Sequence, residues 1–281
     1  MKIFDARQIA IKKIQSKNLD ISVVNLILED ALDLSHQEIL IKNIQNLEPI
    51  QESRFFFLLE EYLKNERPIQ YILGYSYFYG RKYIVNPNVL IPRFETEELV
   101  YNSIKIIKDN NYKIIADIGT GSGNIAISIS KEIDNIKVLG VDISIEALEV
   151  SKNNAIRLDS NVIFHQSNLL EYFIDNNIKV DMIISNPPYI DVNDEEVDEI
   201  VRRNEPSLAL FAKDNGLYNY KKIINDAHLV LNKNGSIIFE IGYKQGEILK
   251  KYVEDKFPNY RVEIIKDIDK KNRMLYIKIV E

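Results

Sequence analysis

Apolar and polar positions along the chain fall into two regimes. Over residues 1–65 the apolar positions recur at helical spacing. The stripes are Ile3, Ala6, Ala10 and Ile14; Val23, Val24, Ile27, Leu28, Ala31 and Leu32; Ile39, Leu40 and Ile44; and Phe55, Leu58, Leu59, Tyr62 and Leu63. Such stripes mark helices that bury one face. Four helices are expected, with Asp20 as N-cap of the second and Ser35-His36-Gln37-Glu38 as a capping box for the third. Glu61 and Lys64 fall on the solvated face of the fourth. Beyond Pro68 the period changes. Tyr75–Tyr79 and Lys82–Val85 flank Gly80-Arg81, the pattern of a short hairpin. From residue 114 on, short apolar runs alternate with helical stretches, as in an α/β fold with a parallel sheet. Strands are expected at Ile114–Ile118, Val138–Val141, Asn161–Phe164, Met182–Ile184 and Ser236–Gly242. Helices are expected from Asn124, over Tyr220–Leu231 and over Gln245–Lys256, and a closing strand pair at Arg261–Ile265 and Met274–Val280.

Candidate chemistry gathers where strands stop. The run Met182–Ile184 ends in Ser185-Asn186-Pro187-Pro188-Tyr189. Proline lacks an N–H and fixes φ, and the residue before it is driven to extended geometry. The result is a stiff, extended loop that presents one amide side chain, carbonyls outside any ladder, and one aromatic face. These groups suit a planar amino group: Asn186 and a backbone carbonyl each accept one N–H, and Tyr189 covers the flat face. Upstream, Ile114–Ile118 runs into Gly119-Thr120-Gly121-Ser122-Gly123, where glycine permits a tight turn and close backbone approach to a ligand. The second strand ends at Asp142, roughly 20 residues further on, the spacing expected of a carboxylate on ribose hydroxyls. Asn124 stands where a dinucleotide fingerprint needs its last glycine, and no Walker-type Lys-Ser/Thr follows. A ligand without phosphate, carrying an ammonium, a sulfonium and an adenosine, fits better. S-adenosylmethionine (SAM) has those groups, and an acidic strand end at Asp117 suits the cationic ones. Past the third strand, Asn168 is placed to meet an adenine amino group and Leu169 its ring; a plain polar strand end reads equally well. In the stretch Val89–Glu97, Thr96 is expected to cap a helix with Glu97 and Glu98 in its first turn. Arg93 and Glu95 read either as a surface ion pair or as part of a loop closing over the site.

Composition narrows the classes. A chain of 281 residues, 46% apolar, sustains a real core, and no stretch reaches the roughly 18 apolar residues of a membrane span. Zero cysteines exclude a disulfide framework, and scattered His36, His165 and His228 make no metal site. A net charge of −6 argues against a general nucleic-acid binder. The acidic run Asp191–Glu199 reads as a solvated face or as a surface for a basic partner. The expected architecture is α/β. A Rossmann-like, seven-stranded domain over 96–281 follows a helical bundle over 1–70 and a β-hairpin linker over 71–95. With sheet order 3-2-1-4-5, the first and fourth strands are neighbours, so the glycine loop and Asn186 face each other.

Asn-Pro-Pro-Tyr is the acceptor motif of SAM methyltransferases that modify planar nitrogens, and the whole chain resembles the PrmC/HemK family. Those proteins are the protein-(glutamine-N5) methyltransferases of peptide chain release factors. The resemblance is carried by Pro68–Gly74, Val89–Glu97, Asp117–Gly123, Asp142, Ser185–Ile190, Glu205-Pro206, Asp214–Leu217 and Glu240–Gln245. Phe94, Asn204 and Leu169 depart from the family pattern. The resemblance implies SAM bound by Asp117, Gly119, Thr120, Gly121, Ser122, Gly123, Asp142, Asn168, Leu169 and Asn186. It implies catalysis by Asn186, Pro187 and Tyr189, and substrate contacts by these with Pro188, Arg93 and Glu95. It implies the glutamine of a Gly-Gly-Gln loop in bacterial-type release factors as acceptor, and a substrate-reading N-terminal bundle. A monomer in the cytoplasm, without metal, membrane or direct nucleic-acid partner, completes the expectation. Three rivals stay open on sequence: a base amino-methyltransferase sharing the motif, a ribosomal-protein glutamine methyltransferase, and a non-catalytic SAM-binding module.

Overall fold

The computed structural model describes residues 1–194 and 197–280. Glu195 and Glu196, the middle of the acidic run, lie outside the described residues. The chain forms two compact units. One comprises Met1–Tyr75 with Glu199–Asn204, and the other Ser76–Asp198 with Glu205–Glu281.

The first unit is helical: α1 (Ile3–Ser16), α2 (Val23–Leu32), α3 (His36–Ile41), α4 (Pro49–Asn65) and α5 (Ile69–Leu73). Its core holds the expected stripes of the first, second and fourth helices, including Ile14, Ile27, Leu28, Phe55 and Leu59, and of the third stripe only Ile39, Leu40 being exposed. The capping box at Ser35 forms, with Glu38 N–H donating to the serine hydroxyl and Glu38 accepting from Ser35 N–H. Three local expectations change. Ser22, not Asp20, takes the N-cap position of α2; Asp20 instead accepts from the N–H and hydroxyl of Ser22, closing a turn ahead of the helix. The third helix stops at Ile41, so Ile44 lies beyond it and is exposed. A fifth helix follows Pro68 and is ended by Gly74 at φ +79°, where only glycine is unstrained. Its five residues are too few for a visible period.

In the second unit a hairpin joins β1 (Tyr75–Phe78) to β2 (Arg81–Ile84). Its turn residues Tyr79 and Gly80 both have positive φ, 48° and 71°, the backbone twist that hairpins favour. Then come α6 (Phe94–Asn110), β3 (Ile114–Ile118), α7 (Asn124–Glu132), β4 (Lys137–Asp142), α8 (Ile145–Arg157), β5 (Ile163–Gln166), α9 (Glu171–Asp175) and β6 (Val180–Ser185). Two-residue strands β7 (Ile190–Asp191) and β8 (Phe211–Ala212) pair in parallel; between them in the chain come α10 (Glu199–Asn204), which belongs to the first unit, and α11 (Ser207–Leu210). The chain ends with α12 (Tyr218–Asp226), β9 (Leu231–Glu240), α13 (Gly246–Lys256), β10 (Tyr260–Lys266) and β11 (Asn272–Ile279).

Seven strands form one sheet in the order β10-β11-β9-β6-β3-β4-β5. The five strands from β9 to the edge strand β5 are parallel; β11 runs antiparallel to both β9 and β10. This is the expected 3-2-1-4-5 order with the last two strands exchanged at the edge. From Met182 on, successive residues of β6 face opposite cores: Ile183 packs on one side, Met182 and Ile184 on the other, while an irregularity in the pairing with β9 between Val180 and Met182 places Val180 on the Ile183 side. The third parallel strand starts later than the sequence indicates, at Ile163, because only residues paired with Leu139–Asp142 complete a ladder. Order reverses beside β3, so this is the topological switch point where ligands collect in such sheets. Ile118 is in register with both Ser185 and Val141, so three loops leave the sheet at one level.

Gly140 pairs with Asp117 on one side and Phe164 on the other. A Cβ there meets the Phe164 ring at 2.6 Å and Thr120 Oγ1 at 2.9 Å. Gly140→Ala is therefore expected to cost about 1–3 kcal/mol by overpacking and to disturb the glycine loop. Urea unfolding checks the first effect and SAM titration the second.

Candidate active site

The glycine loop is held from beneath and bare on top. Gly119, Gly121 and Gly123 have φ of +73°, +53° and +79°. The N–H groups of Gly119 and Thr120 both donate to the Val141 carbonyl, at 2.8 and 2.9 Å. A Cβ at Gly119 or Gly121 meets nothing within 4 Å, so a ligand can approach uncovered backbone. Asp142 ties the loop down by accepting from Gly121 N–H (2.9 Å) and Ser144 N–H (3.0 Å). Burial raises its pKa, and those N–H bonds oppose the rise. Ser122 and Gly123 turn into the fold. The Ser122 hydroxyl donates to Asn124, and a Cβ at Gly123 meets Ile127, Ser151 and Phe164 at 3.0–3.2 Å.

Asp117 is wholly buried. Its Oδ2 accepts from the Thr120 hydroxyl (2.7 Å) and Ala126 N–H (3.2 Å), while Oδ1 has no partner among the described residues. Burial pushes its pKa up to about 7; Thr120 and Ala126 resist, and Asp142 adds to the rise. Asn168 is exposed and donates to Glu171 Oε1 at 2.8 Å. Leu169 is half-buried with φ +52°, uncommon for a bulky side chain, and its carbonyl accepts from the Ser167 hydroxyl.

The acceptor loop is clamped along its length. The Ser185 hydroxyl donates to the Ile118 carbonyl (2.6 Å), stitching it to the start of the glycine loop. Asn219 donates to the Pro188 carbonyl (3.3 Å) and Gln245 to the Tyr189 carbonyl (2.9 Å). Gln245 in turn accepts from Gly242 N–H (3.0 Å). Gly216, at φ +81°, lies so close that a Cβ would sit 2.0 Å from the Tyr189 oxygen. The Pro187 carbonyl has no hydrogen bond among the described residues. Burial pushes the Tyr189 phenol up to about 12, with Glu240 adding to the rise, so Tyr189 is neutral at physiological pH and is no base.

Asn186 donates through Nδ2 to the hydroxyl of buried Thr96 at 3.3 Å. Thr96 thus serves the site rather than capping a helix. Helix α6 begins earlier, with Arg93 at its N-cap position. Arg93 is extended there and ion-paired with Glu205, a buried carboxylate that also accepts from Ile91 N–H (3.2 Å). Among the described residues Arg93 does not pair with Glu95, which lies in the first turn of α6. Glu97 lies in the first turn of α6 as expected, where it accepts from Tyr79 N–H at 2.7 Å, and Glu98 falls just beyond that turn.

Glu240 was not read as a site residue. It ends β9 directly beside Asn186, since Ser185 and Phe239 are in register. It is 2% exposed, with Oε2 unpartnered among the described residues. Burial raises its pKa to about 7, opposed by hydrogen bonding from Thr96, the charge of Arg273 and hydrogen bonding from Asn186, while Glu95 adds to the rise. Its signal in the sequence is a carboxylate directly after the apolar run Ile237–Phe239.

No Walker-type lysine follows this glycine loop in the sequence to meet an anionic ligand. The orphaned oxygen of Asp117 calls for a cation, the ammonium of SAM supplies one, and the bare glycines and Asp142 suit the remainder. Fold and loops together define a SAM-dependent methyltransferase. Comparison agrees: a family model described as a methyltransferase domain matches residues 108–279, and one described as the PrmC N-terminal domain matches residues 5–74. The release factor glutamine methyltransferase of Staphylococcus aureus is 37% identical over 96% of this chain and 96% of its own. That of Bacillus subtilis is 41% identical over 81% and 82%. A solved methyltransferase from Pyrococcus furiosus shares the fold, with TM-score 0.52 and 18% identity over 73% of this chain and 91% of that one. The chain belongs to the release factor glutamine methyltransferase family.

The elevated pKa of Asp117 has a sign. Between its ordinary 3.8 and about 7 the folded state holds a proton that the unfolded state releases. Folding stability therefore falls as pH rises through that window. Without SAM, the melting temperature is expected to drop from pH 5 to pH 8, with a shallower slope in Asp117→Asn. Scanning calorimetry checks this. The same substitution is expected to weaken SAM binding at least tenfold at pH 8, an effect of about 1.4 kcal/mol or more.

Proposed function

We propose that this chain transfers the methyl group of SAM to the side-chain nitrogen of the glutamine in a Gly-Gly-Gln loop of a bacterial-type release factor. One observation carries the reading. Asn186 turns its NH2 inward to Thr96, so its Oδ1 faces outward as an acceptor, and the adjacent Pro187 carbonyl is spare. Two acceptors on one rigid loop match the two N–H bonds of a carboxamide. The names of the relatives point to the same substrate. SAM supplies an electrophilic methyl on a sulfonium, held by Asp117, the glycine loop and Asp142.

An amide nitrogen is a poor nucleophile because its lone pair is delocalised into the carbonyl. Asn186 and Pro187, by accepting both N–H bonds, orient that nitrogen and stabilise the positive charge that develops on it. Tyr189, neutral and half-buried, holds the amide flat. The proton becomes acidic only after transfer and leaves to water, so no general base is assigned. Pro188 sets the path of the loop. Arg93, fixed by Glu205, and Glu95 line its approach. The helical N-terminal unit is assigned to gripping the release factor, and the cytoplasm is where that partner works. A base amino group offers the same two N–H bonds, but the net charge of −6 gives no favour to a nucleic-acid substrate.

Labelled SAM presented with an unmethylated release factor, its Gly-Gly-Glu variant and bulk DNA tests the assignment. Label confined to the wild-type glutamine, located by mass spectrometry, is the expected result; label on DNA, or on neither, rejects it. Asn186→Ala is expected to lower kcat by about a hundredfold or more with little change in the SAM dissociation constant.

A further inference from the structure

We propose that Glu240 is a positioning residue for methyl transfer: with Thr96 it keeps the Asn186 amide turned so that Oδ1 is the edge shown to the acceptor. This rests on the assignment of Asn186 as the group that receives the substrate N–H. The argument is one of hydrogen-bond polarity. An amide side chain can be rotated by half a turn at little steric cost, and only its neighbours decide which edge faces outward. Here the inward edge meets Thr96, whose hydroxyl both accepts and donates. A hydroxyl imposes no direction by itself. A carboxylate does, because it has no hydrogen to give.

Glu240 stands at the required place. It is buried at the end of β9, one residue past the Phe239–Ser185 pairing and so beside Asn186, its Oε2 is unpartnered among the described residues, and hydrogen bonding from Thr96 and Asn186 opposes the rise of its pKa. With Glu240 ionised, the Thr96 hydroxyl donates to it, and the Thr96 oxygen is left to accept from Asn186 Nδ2 at 3.3 Å. The chain of bonds runs one way, from Asn186 through Thr96 to Glu240. Protonated Glu240 can donate to Thr96, which then donates to Asn186 Oδ1 and turns the NH2 outward. That amide would offer donors to a substrate that itself brings donors.

The group titrates near about 7, burial being the main cause. The charged and titratable groups around it are Arg273 from β11, Glu95 from α6, and Tyr189 on the acceptor loop. Arg273 is also paired with Asp267, at 3.1 Å. The Tyr220 hydroxyl, from α12, is occupied with the backbone carbonyl of Glu240 at 2.8 Å. Glu240 switches in the neutral range, and its working form is the anion. Activity should therefore rise with pH through its midpoint.

The test uses the full-length protein. Wild type is expected to show a kcat that climbs through a midpoint near about 7, and Glu240→Gln to lose that limb. The same variant should lower kcat by roughly tenfold or more while SAM affinity stays within about twofold, a difference of about 0.4 kcal/mol. Thr96→Val should behave alike, and Thr96→Ser should restore most of the loss. A second readout needs no release factor. The side-chain NH2 resonances of Asn186, assigned against Asn186→Ala, should shift with pH about the same midpoint in wild type and stay still in Glu240→Gln. Resonances that ignore both pH and the substitution overturn the inference, as does a Glu240→Gln enzyme with unaltered kcat. Absence of methyl transfer by wild type to any release factor rejects the proposed function instead, and the resonance titration then decides the inference alone.

Discussion

The site depends on a register. Ile118 of β3 pairs with Val141 of β4 on one side and Ser185 of β6 on the other. Parallel strands locked side by side must release their loops at a common level. The glycine loop, Asp142 and Asn186 therefore emerge next to one another without any element reaching across the fold. The Ser185 hydroxyl on the Ile118 carbonyl adds a side-chain stitch at the same height. A slip of one residue in β6 would exchange the faces of Met182, Ile183 and Ile184 and bury Asn186 in the wrong core. The two-sided burial of β6 makes that slip expensive, so packing of the sheet and placement of the acceptor group are one constraint.

Burying carboxyl groups works against stability, and among the described residues two of those buried beside the site are left incompletely partnered. Asp117 and Glu240 each keep one oxygen without a partner among the described residues, and each has its pKa raised to about 7. A structure selected for stability alone would satisfy those oxygens or replace the residues with apolar ones. Their positions differ in a telling way. Asp117 sits under the glycine loop, where a cation is wanted. Glu240 sits behind Asn186, where a fixed acceptor is wanted. Each tension lies where a ligand or an oriented neighbour can relieve it.

Much of this was legible in the sequence. Buried runs separated by helical stretches indicated the strands of the sheet, while their order was assumed from the doubly wound pattern and is given by the ladders. Glycines at Gly119, Gly121 and Gly123 could be read because glycine has few reasons to cluster at a strand end. Asn-Pro-Pro-Tyr could be read because a proline pair dictates backbone shape without help from tertiary contacts. What escaped depends on distant partners. Thr96 reads as a helix cap until Arg93 is seen held extended beside Glu205, which moves the helix start and frees the threonine hydroxyl. Asp20 reads as a cap by type, yet Ser22 lies closer to the first turn. Glu240 looks like a polar strand end, and only the pairing of β9 with β6 puts it beside Asn186. The helix Ile69–Leu73 was invisible because one turn carries no period.

Rigidity of the acceptor loop bears on how an inert nucleophile can be made to react. The loop is fixed by Asn219 on one carbonyl, Gln245 on the next, and the backbone of Gly216 pressed against Tyr189. None of those contacts touches the groups that would receive an amide. Orientation is thus set before substrate arrives, and the stabilisation gained by Asn186 and Pro187 as charge develops is not spent on rearranging them. A neutral Tyr189 fits the same logic. A phenolate there would attract the sulfonium and compete with the amide for it, whereas a buried phenol with its pKa near 12 offers only a flat face. The loop acts through shape and fixed dipoles rather than proton transfer, which suits a substrate whose proton is not acidic until the new bond has formed.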